Sequence, residues 1–304
     1  MSIQIPERLK SDLPQTVWGK ILLATPVVMT VIATLLAGLA SSEMTTAQYD
    51  RALAAQMQSK AGDQWSFFQA KRLRGALQRS TLDLLGATTG VGAFDPADLS
   101  SLPDLQPLLA SAVGQQALGH LRDGTVPAAA AAVPEASVRA VLDAIEAGQA
   151  ETEIAALLGR TNDANLQAEV HRAREQADAL DAATGPVTKV IDQIDARLAR
   201  EPKTARLDFT AARLRFAAQR YEGEARSNQA IGSLYELQVR KSNLSAERHH
   251  ARSQRFFYGM LAAQAGVIIS TFAMAARQRS LLWLFAAAAG LLAVIGAAYV
   301  YWFV

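Results

Sequence analysis

Three long apolar stretches, residues 17–40, 256–276 and 281–304, restrict the folds that this sequence can adopt. A bilayer core about 30 Å thick needs about 20 apolar residues in a helix, because a helix rises about 1.5 Å per residue and lipid offers no partner to backbone polar groups. Each stretch reaches that length. The sequence therefore predicts three transmembrane helices surrounded by membrane lipid.

The first stretch has a second interpretation. Gly38, Leu39 and Ala40 resemble the small-residue site at which a signal peptide is cleaved. Lys20 lies near enough to the start to reach the interface, and Pro26 is tolerable early in a membrane helix. We expect the segment to be retained as an anchor.

Cations in the short segments predict the orientation. These cations are Arg8, Lys10, Lys20, Arg277 and Arg279. Short cytoplasmic segments are enriched in Lys and Arg, which predicts a cytoplasmic N-terminus and a periplasmic domain over residues 41–255 of a bacterial inner-membrane protein. Five cations between residues 240 and 255 argue the other way, but long domains cross a membrane largely regardless of charge.

Residues 41–84 and 203–255 each predict one long helix, continuous with an apolar stretch. Both carry small residues at seven-residue spacing, which is typical of helices in close contact. The outgoing set is Ala47, Ala54, Ala61, Phe68, Gly75 and Leu82, and the return set is Ala211, Ala218, Ala225, Gly232, Val239 and Ala246. The pattern predicts an antiparallel coiled-coil stalk.

Counting from the membrane gives the register of this stalk. Partner residue numbers sum to about 297, which places Trp65 opposite Gly232. A large ring would then fill the space left by a missing side chain. The same register brings Lys71, Arg72 and Arg74 near Glu222 and Glu224.

Residues 85–202 differ from the two arms, because glycines and prolines divide them into short segments. We predict helices near residues 103–121, 134–158, 163–183 and 186–200, a low-complexity connector over residues 128–132, and no strand. The predicted fold is all-α, with three transmembrane helices, a long antiparallel coiled-coil stalk and a distal bundle of short helices. Its parts are an N-terminal segment (1–16), transmembrane helix 1 (17–40), an outgoing stalk helix (41–84), a distal helical head (85–202), a return stalk helix (203–255), transmembrane helix 2 (256–276), a tight loop (277–280) and transmembrane helix 3 (281–304).

Charge is unevenly distributed between these parts. Residues 83–201 carry 18 acidic and 8 basic side chains, whereas the two arms carry 8 acidic and 17 basic ones. Two interpretations stay open for the acidic head: a solvated surface, or a surface that docks a basic partner.

Composition and motifs exclude several functions. The absence of cysteine excludes a disulfide framework, a thiolate metal site and a cysteine nucleophile, and a net charge of +2 argues against a nucleic-acid partner. Glu247 and His250 have the Glu-x-x-His spacing of di-iron bundles, but no second copy exists. We therefore predict no catalytic residue, no metal, no cofactor and no small-molecule substrate.

Small residues recur at four-residue spacing in the second and third apolar stretches. Such residues let membrane helices approach closely, either within one subunit or between subunits. The candidates for this packing are Gly259, Ala263, Gly266, Ser270 and Gly290.

The string DQWSFFQAKRLR at residues 63–74 is the most characteristic local motif. Together with the arginine-linked C-terminal hairpin, it resembles the bacterial domain-of-unknown-function family 4337. The matching positions are Asp63, Gln64, Trp65, Gln69, Ala70 and Lys71, and Phe67 and Phe68 stand where Tyr or Phe is expected. The resemblance implies an N-terminal span, a helical middle and a C-terminal pair of spans. It implies no activity, and it does not cover residues 85–202.

Asp63, Gln64 and Lys71 are either a buried polar network that fixes the register of the stalk or exposed positions. With Trp65, Phe68 and Gly232 they form the candidate interaction site. The favoured function is a structural scaffold or accessory subunit that forms a homo-oligomer or joins a larger membrane complex. A channel or transporter subunit is the alternative. An enzyme with a site near His120 or His171 in the acidic head ranks third.

Overall fold

The computed structural model describes residues 17–100, 102–127, 134–199, 203–275 and 281–303. These residues are helical or in turns, with no strand among them, so the all-α prediction is confirmed for this part of the chain. The predicted N-terminal segment 1–16, the connector 128–132 and the loop 277–280 lie outside the described residues.

Two very long helices contain nearly half of the chain. Helix α1 spans Val17–Thr88 (72 residues), and helix α8 spans Lys203–Ala275 (73 residues). Both are long and apolar enough, by length and composition alone, to cross a membrane. Pro26 is the proline inside α1 and lies near its start, where the freed backbone groups of a helix are most easily satisfied.

Shorter helices connect α1 to α8. They are α2 (Ala97–Ser100), a 3₁₀ turn (Pro103–Leu105), α3 (Gln106–Leu109), α4 (Ala112–Asp123), α5 (Ala136–Glu146), α6 (Glu151–Arg160) and α7 (Asp163–Leu198); α9 (Leu281–Phe303) follows α8. Local capping explains several of their ends. The Ser111 side chain accepts a hydrogen bond from the Gly114 N–H at the start of α4, and Gly124 ends it at φ 63°, a conformation that favours glycine.

The chain forms two compact units. One comprises Ala54–Lys241, and its main core joins residues of α2 to α4 with the second half of α7 and the first part of α8. The largest fully buried side chains of this core are Leu99, Leu105, Leu121, Ile191, Ile194, Leu198, Phe209 and Phe216.

Helix α7 differs from the sequence prediction in two respects. It is continuous through Pro186 over 36 residues, so the predicted break after residue 183 is wrong. An interior proline costs about 3 kcal/mol, but Val187, Ile191 and Ile194 are buried directly after it, and their burial opposes a break. The hydroxyl of Thr184 also donates to the Leu180 carbonyl oxygen at 2.8 Å.

The second difference is the position of α7. It runs antiparallel along α8, as shown by the pairs Asp195–Arg213, Thr188–Arg220 and Asp163–Lys241. The prediction that residues 85–202 form only short helices beyond the ends of the two arms is therefore wrong for α7. It packs on the same stretch of α8 that contacts α1.

The other unit comprises Met1–Leu53 and Ser242–Val304. Ala33, Leu36 and Ala40 of α1 are buried with Phe256 and Ala263 of α8. The Ser253 hydroxyl donates to the Ala40 carbonyl oxygen at 2.7 Å. This unit thus has an apolar contact between two helices and a hydrogen bond that helps to fix their relative height.

Candidate interaction site on the paired helices

Trp65 and Gly232 form the centre of the candidate site. A methyl group placed on Gly232 would lie 3.4 Å from Cε2 and Nε1 of Trp65, so the ring occupies the space beside the glycine. The indole N–H of Trp65 donates to Oε1 of Glu236 at 2.8 Å. Phe68 meets the Trp65 ring edge-on at 5.5 Å between centroids. These contacts place Trp65 opposite Gly232, as the register arithmetic predicts.

An ion-pair network continues the contact between α1 and α8. Lys71 pairs with Glu224, whose side chain is only 9% exposed. Arg220 approaches the same carboxylate at 3.4 Å and donates to the Thr188 hydroxyl of α7 at 3.0 Å. A carboxylate buried to this degree is costly unless it is paired. The network therefore links three helices through one charge.

Arg79 and Glu222 make a second ion pair between α1 and α8, and both side chains are about half exposed. The predicted register brings Lys71, Arg72 and Arg74 near Glu222 and Glu224 and does not include Arg79. Arg72 instead lies over the Phe68 ring at 5.8 Å.

Tyr235 joins the same three helices about three turns further along α8 than Glu224. Its ring is buried, and its centroid lies 6.0 Å from the ammonium of Lys60 and 5.4 Å from the guanidinium of Arg174. Arg174 also donates to the Tyr235 hydroxyl. A cation over an aromatic ring is favourable, because the ring faces are electron-rich.

The other predicted site residues behave differently from one another. Asp63 is exposed and makes no ion pair with the described residues. Gln64 packs its Cβ near Gly232, and its buried Oε1 has no hydrogen-bond partner among the described residues. Lys71 alone of the three polar residues enters a buried network. Of the two interpretations of Asp63, the structure agrees with an exposed position and not with a buried polar network.

The acidic segment pairs with the basic return helix of the same chain. Arg240 donates to both carboxylate oxygens of Glu151, at 2.7 and 2.9 Å. Lys241 pairs with Asp163 at 2.7 Å, and Arg213 pairs with Asp195 at 3.4 Å. The acidic residues of segment 85–202 therefore pair, at least in part, with basic residues of α8 in the same chain.

The small residues of the apolar segments are largely used within the protomer. Ala263, Gly266 and Ser270 are buried, whereas Gly259 is half-buried. A methyl group on Gly290 would overlap the side chain of Met29, so α9 packs closely on α1 at this point. Intramolecular packing thus accounts for most of these positions.

The histidine pair belongs to the same unit. Nδ1 of His249 lies 2.5 Å from Oε2 of Glu43, which joins α8 to α1. His250 interacts with Gln254 rather than with Glu247. Among the residues that the structure describes, no three His, Asp or Glu side chains are grouped closely enough to hold a metal ion.

A cavity of about 280 Å³ lies between α5, α7 and α8. It is at the lower limit of the sizes of small-molecule sites, about 300–1,000 Å³. Its buried carboxylate, Glu169, already accepts from the Glu135 N–H at 2.7 Å and pairs with Arg172 at 2.6 Å. The charges in this cavity therefore stabilise the fold.

Carboxyl groups at two helix ends have lowered pKa values. Hydrogen bonds from the Ser137 hydroxyl and backbone N–H lower the pKa of Glu135, which caps α5. The Arg122 guanidinium, hydrogen-bonded to Asp123 at the end of α4, lowers the pKa of that carboxyl group, and its own pKa is raised in turn. Both arrangements stabilise local structure.

The side-chain contacts of this site hold α1, α7 and α8 together. Sequence reasoning did not identify Glu236, Arg174 or Thr188 as partners, because seven-residue spacing identifies neighbouring Cβ positions and not the polar atoms that a side chain reaches. The sequence offered one indication of the Trp65 contact. Glu236 follows Gly232 by four residues, and a partly buried indole N–H needs an acceptor such as its carboxylate.

The family model described as Domain of unknown function (DUF4337) matches residues 22–95, which include most of α1. No curated protein and no solved structure matches the chain. The match includes the site residues of α1 but not Gly232 or the C-terminal hairpin. The resemblance to this family that residues 63–74 predict is thus confirmed for residues 22–95.

Proposed function

We propose that this chain is a non-catalytic integral membrane protein that acts as a structural scaffold or accessory subunit. It presents its helical unit on an antiparallel coiled-coil stalk and assembles with copies of itself or joins a larger membrane complex. The contacts of Trp65 with Gly232 and of Lys71 with Glu224 support the paired arrangement of the stalk.

Exposed apolar side chains support the membrane location. Leu23, Val31 and Leu39 of α1 are about half exposed, and so are Leu261, Ile268 and Phe272 of α8. Only 28% of the most apolar 18-residue stretch of each helix is buried, whereas a core helix of a soluble protein would be mostly buried. Helix α9 has 23 residues, about 35 Å at 1.5 Å per residue, which is enough for a third crossing.

The observation that carries the scaffold proposal is a row of exposed leucines on α1, which we name the leucine row: Leu73, Leu77 and Leu84. They are 72%, 62% and 64% exposed. Their spacing of four and seven residues aligns them on one line of the helix, on the side opposite Gly75 and Leu82. Large aligned apolar side chains outside an apolar segment are typical of an interaction surface.

A second copy of the chain fits the leucine row, because two copies anchored in one bilayer would bring the same rows to the same height. Positions at this spacing form the seam of parallel coiled coils. The test is the mass of the full chain in mild detergent. We expect a defined oligomer, or a complex with a co-purified chain, in the wild-type protein.

The variant Leu73→Gln with Leu77→Gln should reduce that oligomer to monomer. Phe67→Gln is the matched control, because Phe67 is also exposed but lies about 120° around the helix from the row. A monodisperse wild-type monomer without a partner contradicts the proposal. Ion flux through the pure protein in liposomes would favour a channel instead.

We further propose three spans in a bacterial inner membrane, with a cytoplasmic N-terminus and a periplasmic helical unit. The absence of cysteine makes this orientation easy to test. Ser59→Cys introduces a single exposed thiol on α1. An impermeant maleimide should label it in intact spheroplasts. Labelling only after lysis would reverse the orientation.

A further inference from the structure

The cavity between α5, α7 and α8 is apolar inside and charged where it meets solvent. At its inner end, Leu234 is buried, and Leu142 and Ala173 are half-buried. At its opening, the side chains of Glu146 and Arg226 are exposed. A ligand that matches this distribution has an apolar end and a charged end.

The fold uses the two charges at the opening less than it uses the inner pair of Glu169 with Arg172. The Arg226 side chain is 73% exposed, and among the described residues its carboxylate partner within 4 Å is Glu222, at 3.6 Å. Glu146 forms no ion pair within the part of the chain that the structure describes. The opening therefore presents a carboxylate from α5 and a guanidinium from α8 that are not paired with each other.

The size of the cavity limits the ligand. Water occupies about 30 Å³ per molecule in the liquid, so a cavity of about 280 Å³ has room for roughly nine non-hydrogen atoms. A free amino acid such as leucine has this size. Gln176 and Ser233 are half-buried and add neutral hydrogen-bonding groups to the wall of the cavity.

The charges that line the cavity sum to zero, because the carboxylates of Glu146 and Glu169 balance the guanidinium groups of Arg172 and Arg226. A ligand with a net charge would leave one charge uncompensated in a partly enclosed site, which is costly. A zwitterion keeps the balance. Its carboxylate can pair with a guanidinium group, and its ammonium group can pair with a carboxylate.

We propose that this cavity binds a free α-amino acid with an apolar side chain of about the size of leucine. The carboxylate of the ligand pairs with Arg226, its ammonium group pairs with Glu146, and its side chain contacts Leu142 and Leu234. This site adds small-molecule binding to the scaffold role, and it does not depend on the membrane location.

The first test is isothermal titration calorimetry of the full wild-type chain in mild detergent with four ligands. They are L-leucine, 4-methylpentanoate, which lacks the ammonium group, 3-methylbutylamine, which lacks the carboxylate, and glycine, which lacks the side chain. Leucine should bind with a Kd of about 1 mM or tighter. Each of the other three should bind at least about tenfold more weakly, because each loses one of the three contacts.

The wild-type protein alone can overturn the proposal. Absence of leucine binding would do so. Binding of 4-methylpentanoate or 3-methylbutylamine as tightly as leucine would mean that the site does not recognise a zwitterion. Equal binding of glycine would mean that the apolar end of the cavity is not used.

Two pairs of variants test the charges at the opening. Arg226→Gln has the control Arg79→Gln, because both arginines pair with Glu222 but Arg79 does not line the cavity. Glu146→Gln has the control Asp143→Asn, which changes another exposed carboxylate of α5 outside the cavity. Each test variant should bind leucine about tenfold more weakly, and each control should bind it as the wild type does. Equal weakening in a test variant and its control overturns the assigned contacts.

Ala173→Leu tests the location without changing a charge. The longer side chain takes up space inside the cavity, so leucine binding should be lost while the thermal unfolding transition stays cooperative. Unchanged leucine affinity in the folded variant would place the ligand elsewhere and overturn the proposal.

Discussion

The ring of Trp65 fills the space beside Gly232, at a distance of 3.4 Å from the position that a Cβ atom would take. This distance is ordinary van der Waals contact for one methyl group but leaves no room for a longer side chain. The residue at position 232 therefore controls how closely α8 approaches α1.

Substitutions at Gly232 should have opposite effects according to size. Gly232→Ala should leave stability unchanged or raise it by about 0.5–1 kcal/mol, because glycine is unfavourable inside a helix. Gly232→Leu should destabilise by about 1–3 kcal/mol, because it forces Trp65 out of its position. Thermal unfolding followed by circular dichroism in detergent measures both.

Trp65→Ala provides the internal check on Gly232→Leu. If the clash is with the ring, the leucine should be tolerated better when the ring is absent, and the two changes should not be additive. Additive destabilisation would mean that Gly232 is required for a reason other than Trp65.

Lys71 and Arg79 provide a matched pair of ion pairs between the same two helices. Glu224, the partner of Lys71, is buried, whereas Glu222, the partner of Arg79, is about half exposed. Lys71→Met should lower the free energy of unfolding by about 1–3 kcal/mol, because a buried carboxylate then keeps only the more distant Arg220. Arg79→Met should lower it by less than about 1 kcal/mol.

Chemical denaturation at low and high salt separates the two cases. The small Arg79 effect should vanish in high salt, whereas the Lys71 effect should persist, since buried charges are screened less. Equal effects of the two variants would contradict the role given to burial.

The sequence was sufficient to predict the register of α1 and α8, because seven-residue spacing and a common starting level leave one pairing for Trp65 and Gly232. It was not sufficient to place α7. The pairs of Asp163 with Lys241 and of Asp195 with Arg213 join distant parts of the chain, and many acids and bases could have met with similar energy. Composition showed the opposite charges of the two segments but not that they attract each other within one molecule.

Pro186 shows a different limit, because local propensity predicted a break that tertiary packing overrides. Pro186→Ala should raise the free energy of unfolding by about 1–3 kcal/mol, since it restores a backbone donor within α7. Pro103→Ala is the control, because Pro103 is the first residue of the 3₁₀ turn, where a missing N–H is harmless. Thermal unfolding of both variants tests this. Loss of stability in Pro186→Ala would show that the ring itself packs usefully.

The capping carboxylate of Glu135 predicts a local pH dependence. Its pKa is lowered in the folded chain by hydrogen bonds from Ser137, so the ionised form is favoured by folding. The stabilisation is present above the ordinary glutamate pKa of about 4.3 and is lost as pH falls through the lower folded value. Protection factors of the amides in the first turn of α5 should therefore decrease on acidification below about pH 4, when measured by hydrogen exchange.

Two comparisons make this measurement specific. Glu135→Gln keeps an acceptor oxygen for the Ser137 N–H but does not titrate, so the first turn of α5 should lose its pH dependence. The start of α4 is capped by the hydroxyl of Ser111 at 3.0 Å from the Gly114 nitrogen and should show little change over the same range. If α5 in the Glu135→Gln variant still frayed at low pH, the Glu135 carboxylate would not be the group responsible.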